Sequence, residues 1–129
     1  MEDRIRYITH RGQRVLLADV TNCTIAEMVS LGHLVPTYLA NEPPGSVLLL
    51  ADFTGSRFDK TALETLKQAA VYDRPHLKRS AWVGLEGMPK VFYENIKSFS
   101  QRELPVFTTR EEALDWLVAE EQEKIASGQ

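Results

Sequence analysis

The chain has 129 residues, a net charge of −3, and hydrophobic and charged shares of 43% and 26%, the values of an ordinary globular domain. One domain of this length can remove roughly two thirds of its chain surface from water. The acidic balance excludes the basic footprint that general nucleic-acid binding needs, and no apolar run approaches the ~20 residues that span a bilayer.

With one cysteine, Cys23, no internal disulfide can form, so a reducing cytoplasm is the expected compartment. The opening Met1-Glu2-Asp3-Arg4 lacks the basic-then-apolar pattern of a signal peptide. Charge is unevenly placed. Arg4, Arg6, Arg11 and Arg14 gather in the first segment, and Glu111, Glu112, Asp115, Glu120, Glu121 and Glu123 in the last. They read as two solvated faces, or as complementary patches that steer a partner or a second copy.

Ile5 to Thr9 and Val15 to Val20 are strand-like, and Arg11-Gly12-Gln13 between them predicts an antiparallel hairpin. Thr24-Ile25-Ala26-Glu27 is a capping box opening a helix with Ile25, Met28, Val29, Val35, Tyr38 and Leu39 on its apolar side. Pro36 lacks an amide hydrogen, which predicts a kink or break between Gly32 and Pro36.

Pro43-Pro44-Gly45 ends that segment, and Ser46 to Phe53 follows as a strand whose Val-Leu-Leu-Leu centre implies burial on both faces. Asp59 is placed to cap the next helix, with Phe58 and Leu63 as a hydrophobic staple and Ala62, Leu63, Leu66, Ala69 and Ala70 inward. Pro75 closes it. Ser80 to Leu85 is the next strand, ending in Gly84-Leu85-Glu86-Gly87.

Pro89 starts a helix whose predicted inner face is Phe92, Ile96 and Phe99. Pro105 to Thr108 is a short last strand. Thr109-Arg110-Glu111-Glu112 is another capping box, opening a helix with Ala113, Leu114, Leu117 and Val118 inward and its acids outward. Trp116 is expected to be mostly core, and Ser127-Gly128-Gln129 to fray.

The order β-β-α-β-α-β-α-β-α predicts an α/β domain with a mainly parallel sheet and an opening antiparallel hairpin, one domain over residues 1–129 with its core at about 5–119. In such sheets ligands gather at the carboxyl ends of the strands. That puts the working surface at Asp52-Phe53-Thr54-Gly55-Ser56, with Asp19, Glu86 and Gly87 as neighbours.

The phrases Leu48-Leu49-Leu50-Ala51-Asp52-Phe53-Thr54-Gly55 and Phe107-Thr108-Thr109-Arg110-Glu111-Glu112-Ala113-Leu114-Asp115-Trp116-Leu117 resemble the SpoIIAA-like family. This bacterial group is related to STAS domains and grouped with the lipid-binding Sec14 fold, and the resemblance covers about Ile5 to Ala119. Anti-sigma antagonists of the STAS type carry Asp-Ser-Ser-Gly at the matching strand end, and a kinase phosphorylates the second serine. By that resemblance Asp52 matches the aspartate, Phe53 replaces the first serine, Thr54 takes the phosphorylated place and Gly55 matches the glycine.

Three function classes are open. The first is a non-catalytic interaction module switched by phosphate on Thr54 or Ser56, next to a helix N-terminus that favours anions. The second, implied by the Sec14 relationship, is a binder of a small apolar ligand, with Met28, Tyr38, Trp82, Met88, Phe92 and Tyr93 lining a cleft. The third is an enzyme. Asp19 and Asp52 both end strands and could meet to hold Mg²⁺, but a phosphoacceptor receiver domain would need a further acid and a lysine after the last strand, and Phe107-Thr108-Thr109-Arg110 supplies none.

There is no dinucleotide fingerprint, P-loop or paired metal-binding histidine motif, and His10, His33 and His76 are scattered. Cys23, just before a helix N-terminus, could have a lowered thiol pKa. The reading is therefore a non-catalytic module without cofactor or metal, its partner a protein or a small apolar ligand, with a homodimer conceivable.

Overall fold

The computed structural model describes the backbone of residues 2–126 and the side chains of residues 3–120, so the acids expected at Glu121 and Glu123 and the fraying at Ser127 to Gln129 lie outside the described residues. The elements run β1 (Ile5–His10), β2 (Gln13–Asp19), α1 (Ile25–Leu39), β3 (Val47–Asp52), α2 (Lys60–Asp73), β4 (Leu77–Val83), α3 (Lys90–Ser100), β5 (Val106–Phe107) and α4 (Arg110–Ala126). The sheet order is β1-β2-β3-β4-β5. β1 is antiparallel to β2, and every later pairing is parallel, as the alternating order requires.

β3 is buried along its whole length. Val47, Leu49, Ala51 and Phe53 point into a larger core beneath α1, α2 and α3. Leu48 and Leu50 point the other way, into a smaller core closed by Ala113, Leu117 and Val118 of α4. An unbroken apolar strand is what a sheet covered on both faces demands.

The caps at Thr24 and Asp59 form as read, and of the box expected at Thr109 the hydroxyl-to-amide half forms. Thr24 and Glu27 complete a capping box on α1, the Asp59 carboxylate accepts from the Ala62 amide at 2.8 Å, and the Thr109 hydroxyl accepts from the Glu112 amide at 3.2 Å.

Several expectations need correction. α1 runs unbroken through Pro36, because Met28, Leu31, Val35 and Leu39 anchor both halves in one core. β4 starts earlier than read, at Leu77, with an irregular register where Leu48 faces Arg79. It also stops earlier, at Val83, because Gly84 turns out of the strand at φ +72°. α3 does not bury Phe92 and Phe99, which are 39% and 58% exposed. Its inner stripe is Tyr93, Ile96 and Ser100, with the Tyr93 hydroxyl donating to the Leu104 carbonyl. The lysine ammonium of Lys67 lies 4.2 Å from the Phe99 ring centre instead.

The two charge clusters meet in part within the chain. His10 Nε2 lies 2.8 Å and Arg11 Nη2 3.3 Å from Asp115 Oδ1. No helix among the described residues is long and apolar enough to cross a membrane.

Candidate functional site

The parallel register places the ends of β2, β3 and β4 side by side, with Asp19 opposite Asp52 and Asp52 opposite Val83. Backbone bonds carry the pairing into the loops. The Val20 amide donates to the Asp52 carbonyl at 2.8 Å, Asn22 to Thr54 at 2.9 Å, and Phe53 to Val83 at 2.8 Å. The loops are thus extensions of the sheet, and their side chains inherit its order.

Asp52 is buried, and both of its oxygens are engaged. Oδ1 accepts from the Thr54 amide at 3.0 Å and the Thr54 hydroxyl at 2.7 Å. Oδ2 accepts from Arg110 Nε at 2.6 Å. Arg110 Nη2 also lies 3.3 Å from Asp19 Oδ1, and Asp19 in turn accepts from the Thr21 hydroxyl at 2.6 Å and amide at 3.1 Å. Arg4 completes the set, 3.9 Å from Asp19 and donating to the Thr21 carbonyl at 2.9 Å.

Asp19 and Asp52 therefore do meet, but the guanidinium of Arg110 stands between them where a cation was weighed. Among the described residues, no group of three His, Cys, Asp or Glu side chains is placed to hold a metal ion. Burial pushes the Asp19 carboxyl up, but the Thr21 hydroxyl and amide and the two arginines outweigh it and hold the group below its ordinary value. Burial likewise lowers Arg110, and the bonds to Asp52 and Asp19 overcome this and raise it.

The two hydroxyls of the β3 loop differ. Thr54 is exposed. Ser56 is buried, donating to the Val20 carbonyl and accepting from the Cys23 amide at 2.9 Å, so its oxygen is committed inside the fold. Gly84 makes the close approach on the other side. A Cβ there would fall 2.8 Å from the Thr54 Cα and N, and its φ of +72° suits glycine alone. A Cβ on Gly87 would fall 2.8 Å from the Ser56 carbonyl oxygen. The loop carrying Glu86 and Gly87 thus presses on the Asp52 loop, and Glu86 itself is exposed.

Phe53 is 2% exposed and packs against Phe58 and Trp82 at ring-centre distances of 5.7 and 5.2 Å. Its role is in the core. Cys23 is also buried, and burial pushes its thiol up rather than down.

The six residues read as an apolar cleft take different places. Met28 and Trp82 border a cavity of about 50 Å³ between the sheet, α1 and α2. Met88 is buried in the same core, Tyr38 and Tyr93 sit half-buried against it, and Phe92 faces outward between α2 and α3.

Arg110 is the site residue that sequence reasoning passed over. A cation in the first turn of a helix opposes the macrodipole, and that local mismatch is the signal that an acid must lie nearby.

Against solved structures, the chain is similar to an uncharacterized Shewanella loihica PV-4 protein of the DUF3478 family, itself described as having a SpoIIAA-like fold. The TM-score is 0.66 at 20% identity, over 88% of this chain and 91% of that one. The fold is SpoIIAA-like. No family model matches the sequence, and no curated protein does. The mixed five-stranded sheet fits that fold, and Asp52 ends its central strand with Thr54 in the loop that follows.

Proposed function

We propose that this SpoIIAA-like domain is a non-catalytic protein-interaction module whose docking face is the set of loops after β2, β3 and β4, and that phosphorylation of Thr54 switches that face. The observation that carries the reading is the chain of contacts from the hydroxyl of the exposed residue Thr54 through the buried Asp52 carboxylate to Arg110.

A kinase would pass the γ-phosphoryl group of ATP to Thr54 Oγ1, the hydroxyl proton leaving and ADP departing. The oxygen could then no longer donate to Asp52 Oδ1. The new group carries a charge of about −1.5 to −2 and lies beside a buried carboxylate, so it repels Asp52 and competes for Arg110. A partner that reads the loops would meet a different charge and a displaced Arg110. Ser56 takes no part, because its hydroxyl bonds hold the loops together. The compartment that fits this reading is the cytoplasm.

The test is incubation with ATP and kinases from the native host, followed by intact mass and peptide mapping. One phosphoryl group on Thr54, absent from Thr54→Ala, is the expected result. An unmodified protein, or modification elsewhere only, contradicts it.

Binding of a small apolar ligand is the second reading, and the cavity over Met28 and Trp82 favours it. At about 50 Å³ that space is nearer to one or two waters than to a lipid tail. A lipid would need α1 and α2 to part, so protein docking is the better-supported reading. Native mass spectrometry after exposure to cell lipids separates the two.

A further inference from the structure

β5 pairs with β4 only at Trp82 and Val83, the Asp52 end of the sheet, and leaves the opposite end of that edge open. Among the described residues, the outer edge of β4 from Leu77 to Ala81 has no strand beside it. A cleft of about 230 Å³ lies along that edge.

Its walls carry positive charge from three parts of the chain. Arg79 comes from β4 and sits 4.0 Å over the Trp116 ring, donating to the Trp116 carbonyl at 2.7 Å. Arg102 comes from the segment after α3, donating to the Ala70 carbonyl at 3.0 Å and the Ser80 hydroxyl at 2.6 Å. Arg74 comes from the turn after α2 and is exposed. Lys78 lines the same space, and Glu103 is the one acid among the described lining residues.

Such a concentration is unexpected in a chain of net charge −3. Arg102 is 9% exposed, and burial lowers it to about 10. The nearby Asp73 acts on Arg102 through its charge, whereas the guanidinium's hydrogen bonds go to the neutral Ala70 carbonyl and Ser80 hydroxyl. A buried guanidinium held to neutral acceptors keeps its charge available for an anion.

We infer that this cleft is an anion site whose ligand is a small phosphomonoester. Each guanidinium has five N–H donors, and the bonds above use two groups on Arg102 and one on Arg79. Arginines that converge from β4, the turn after α2 and the segment after α3 suit tetrahedral phosphate oxygens. A planar carboxylate is matched by a single arginine fork. Arg79 and Arg102 are already fixed by backbone and ring contacts, so binding orders little that was loose. Leu77 and Trp116 give the organic part of the ester apolar walls. The site is remote from Thr54 and does not depend on the switch.

The experiment is titration calorimetry at constant ionic strength with inorganic phosphate, phenyl phosphate and succinate. The proteins are wild type, Arg74→Gln, Arg79→Gln and, as a control at the other end of the sheet, Arg57→Gln. Saturable binding of both phosphates is expected, with phenyl phosphate tighter and succinate weakest. Arg74→Gln and Arg79→Gln should each weaken phosphate by about tenfold, the scale of one charge-assisted bond, and Arg57→Gln should change nothing. Arg74 is exposed and enters the turn's hydrogen bonding through its backbone carbonyl, which the substitution leaves in place, so its variant keeps the test valid if Arg79→Gln folds poorly. No saturable phosphate binding, succinate as tight as phenyl phosphate, or an equal loss in Arg57→Gln would each overturn the site.

Discussion

Arg110 Nε and Asp52 Oδ2 lie 2.6 Å apart although 58 residues separate them in the chain. The pair ties the first turn of α4 to the end of β3, and it closes the site from the side opposite Thr54. Removing the arginine leaves a buried carboxylate supported only by Thr54. Arg110→Gln should therefore destabilise the fold by about 1–3 kcal/mol. A double-mutant cycle with Asp52→Asn, read by urea unfolding, should show coupling on the order of 1 kcal/mol or more. Strict additivity would mean that the contact does not bind α4 to the sheet.

The acid limb of stability follows from the same cluster. The Asp19 carboxyl is held below its ordinary value in the folded state. Its contribution is present above the unfolded value of about 4 and is lost as pH falls through the folded one. Arg110→Gln should flatten this limb, because one of the charges that holds Asp19 down is gone. Equal slopes for wild type and variant between pH 5 and 2 would contradict it.

Asp73 gives the opposite sign. Burial pushes its carboxyl up to about 7, against the lowering influence of Arg102 and His76. The folded state then holds the proton more tightly than the unfolded chain does. Stability is greatest below the unfolded value and falls as pH rises toward 7. Asp73→Asn should remove that fall and raise the melting temperature at pH 8 relative to wild type, a gain on the order of a few kcal/mol. Parallel melting curves across pH 4 to 8 would show that Asp73 does not titrate in this window.

Gly84 should tolerate no side chain. At φ +72°, with the Thr54 backbone 2.8 Å from the added Cβ, Gly84→Ala must strain its own backbone and displace the Thr54 loop. A loss of about 1–3 kcal/mol is expected, with greater protease sensitivity in the loop. An unchanged melting temperature would mean that the two loops can separate freely.

Much of the fold is legible in local sequence. The apolar run of β3, the caps at Thr24, Asp59 and Thr109 and the alternation of strand and helix each follow from short-range chemistry. The exposed face of α3 is not. Phe92-Ile96-Phe99 and Tyr93-Ile96-Ser100 are equally helical stripes, and only the position of α2 and of the Leu104 carbonyl selects the second. The site is half legible. Asp52 and Thr54 stand out beside Gly55, whereas the Arg110 contact and the burial of Ser56 arise from loops that meet only after the sheet has formed.

The central claim is that Thr54 is a switch on a docking face. Its most direct test is a pull-down from the native host with wild type, Thr54→Ala and Thr54→Asp, comparing the captured proteins quantitatively. The account predicts that Thr54→Asp loses or gains at least one partner that wild type and Thr54→Ala treat alike under non-phosphorylating conditions. Identical partner sets for all three proteins would contradict it.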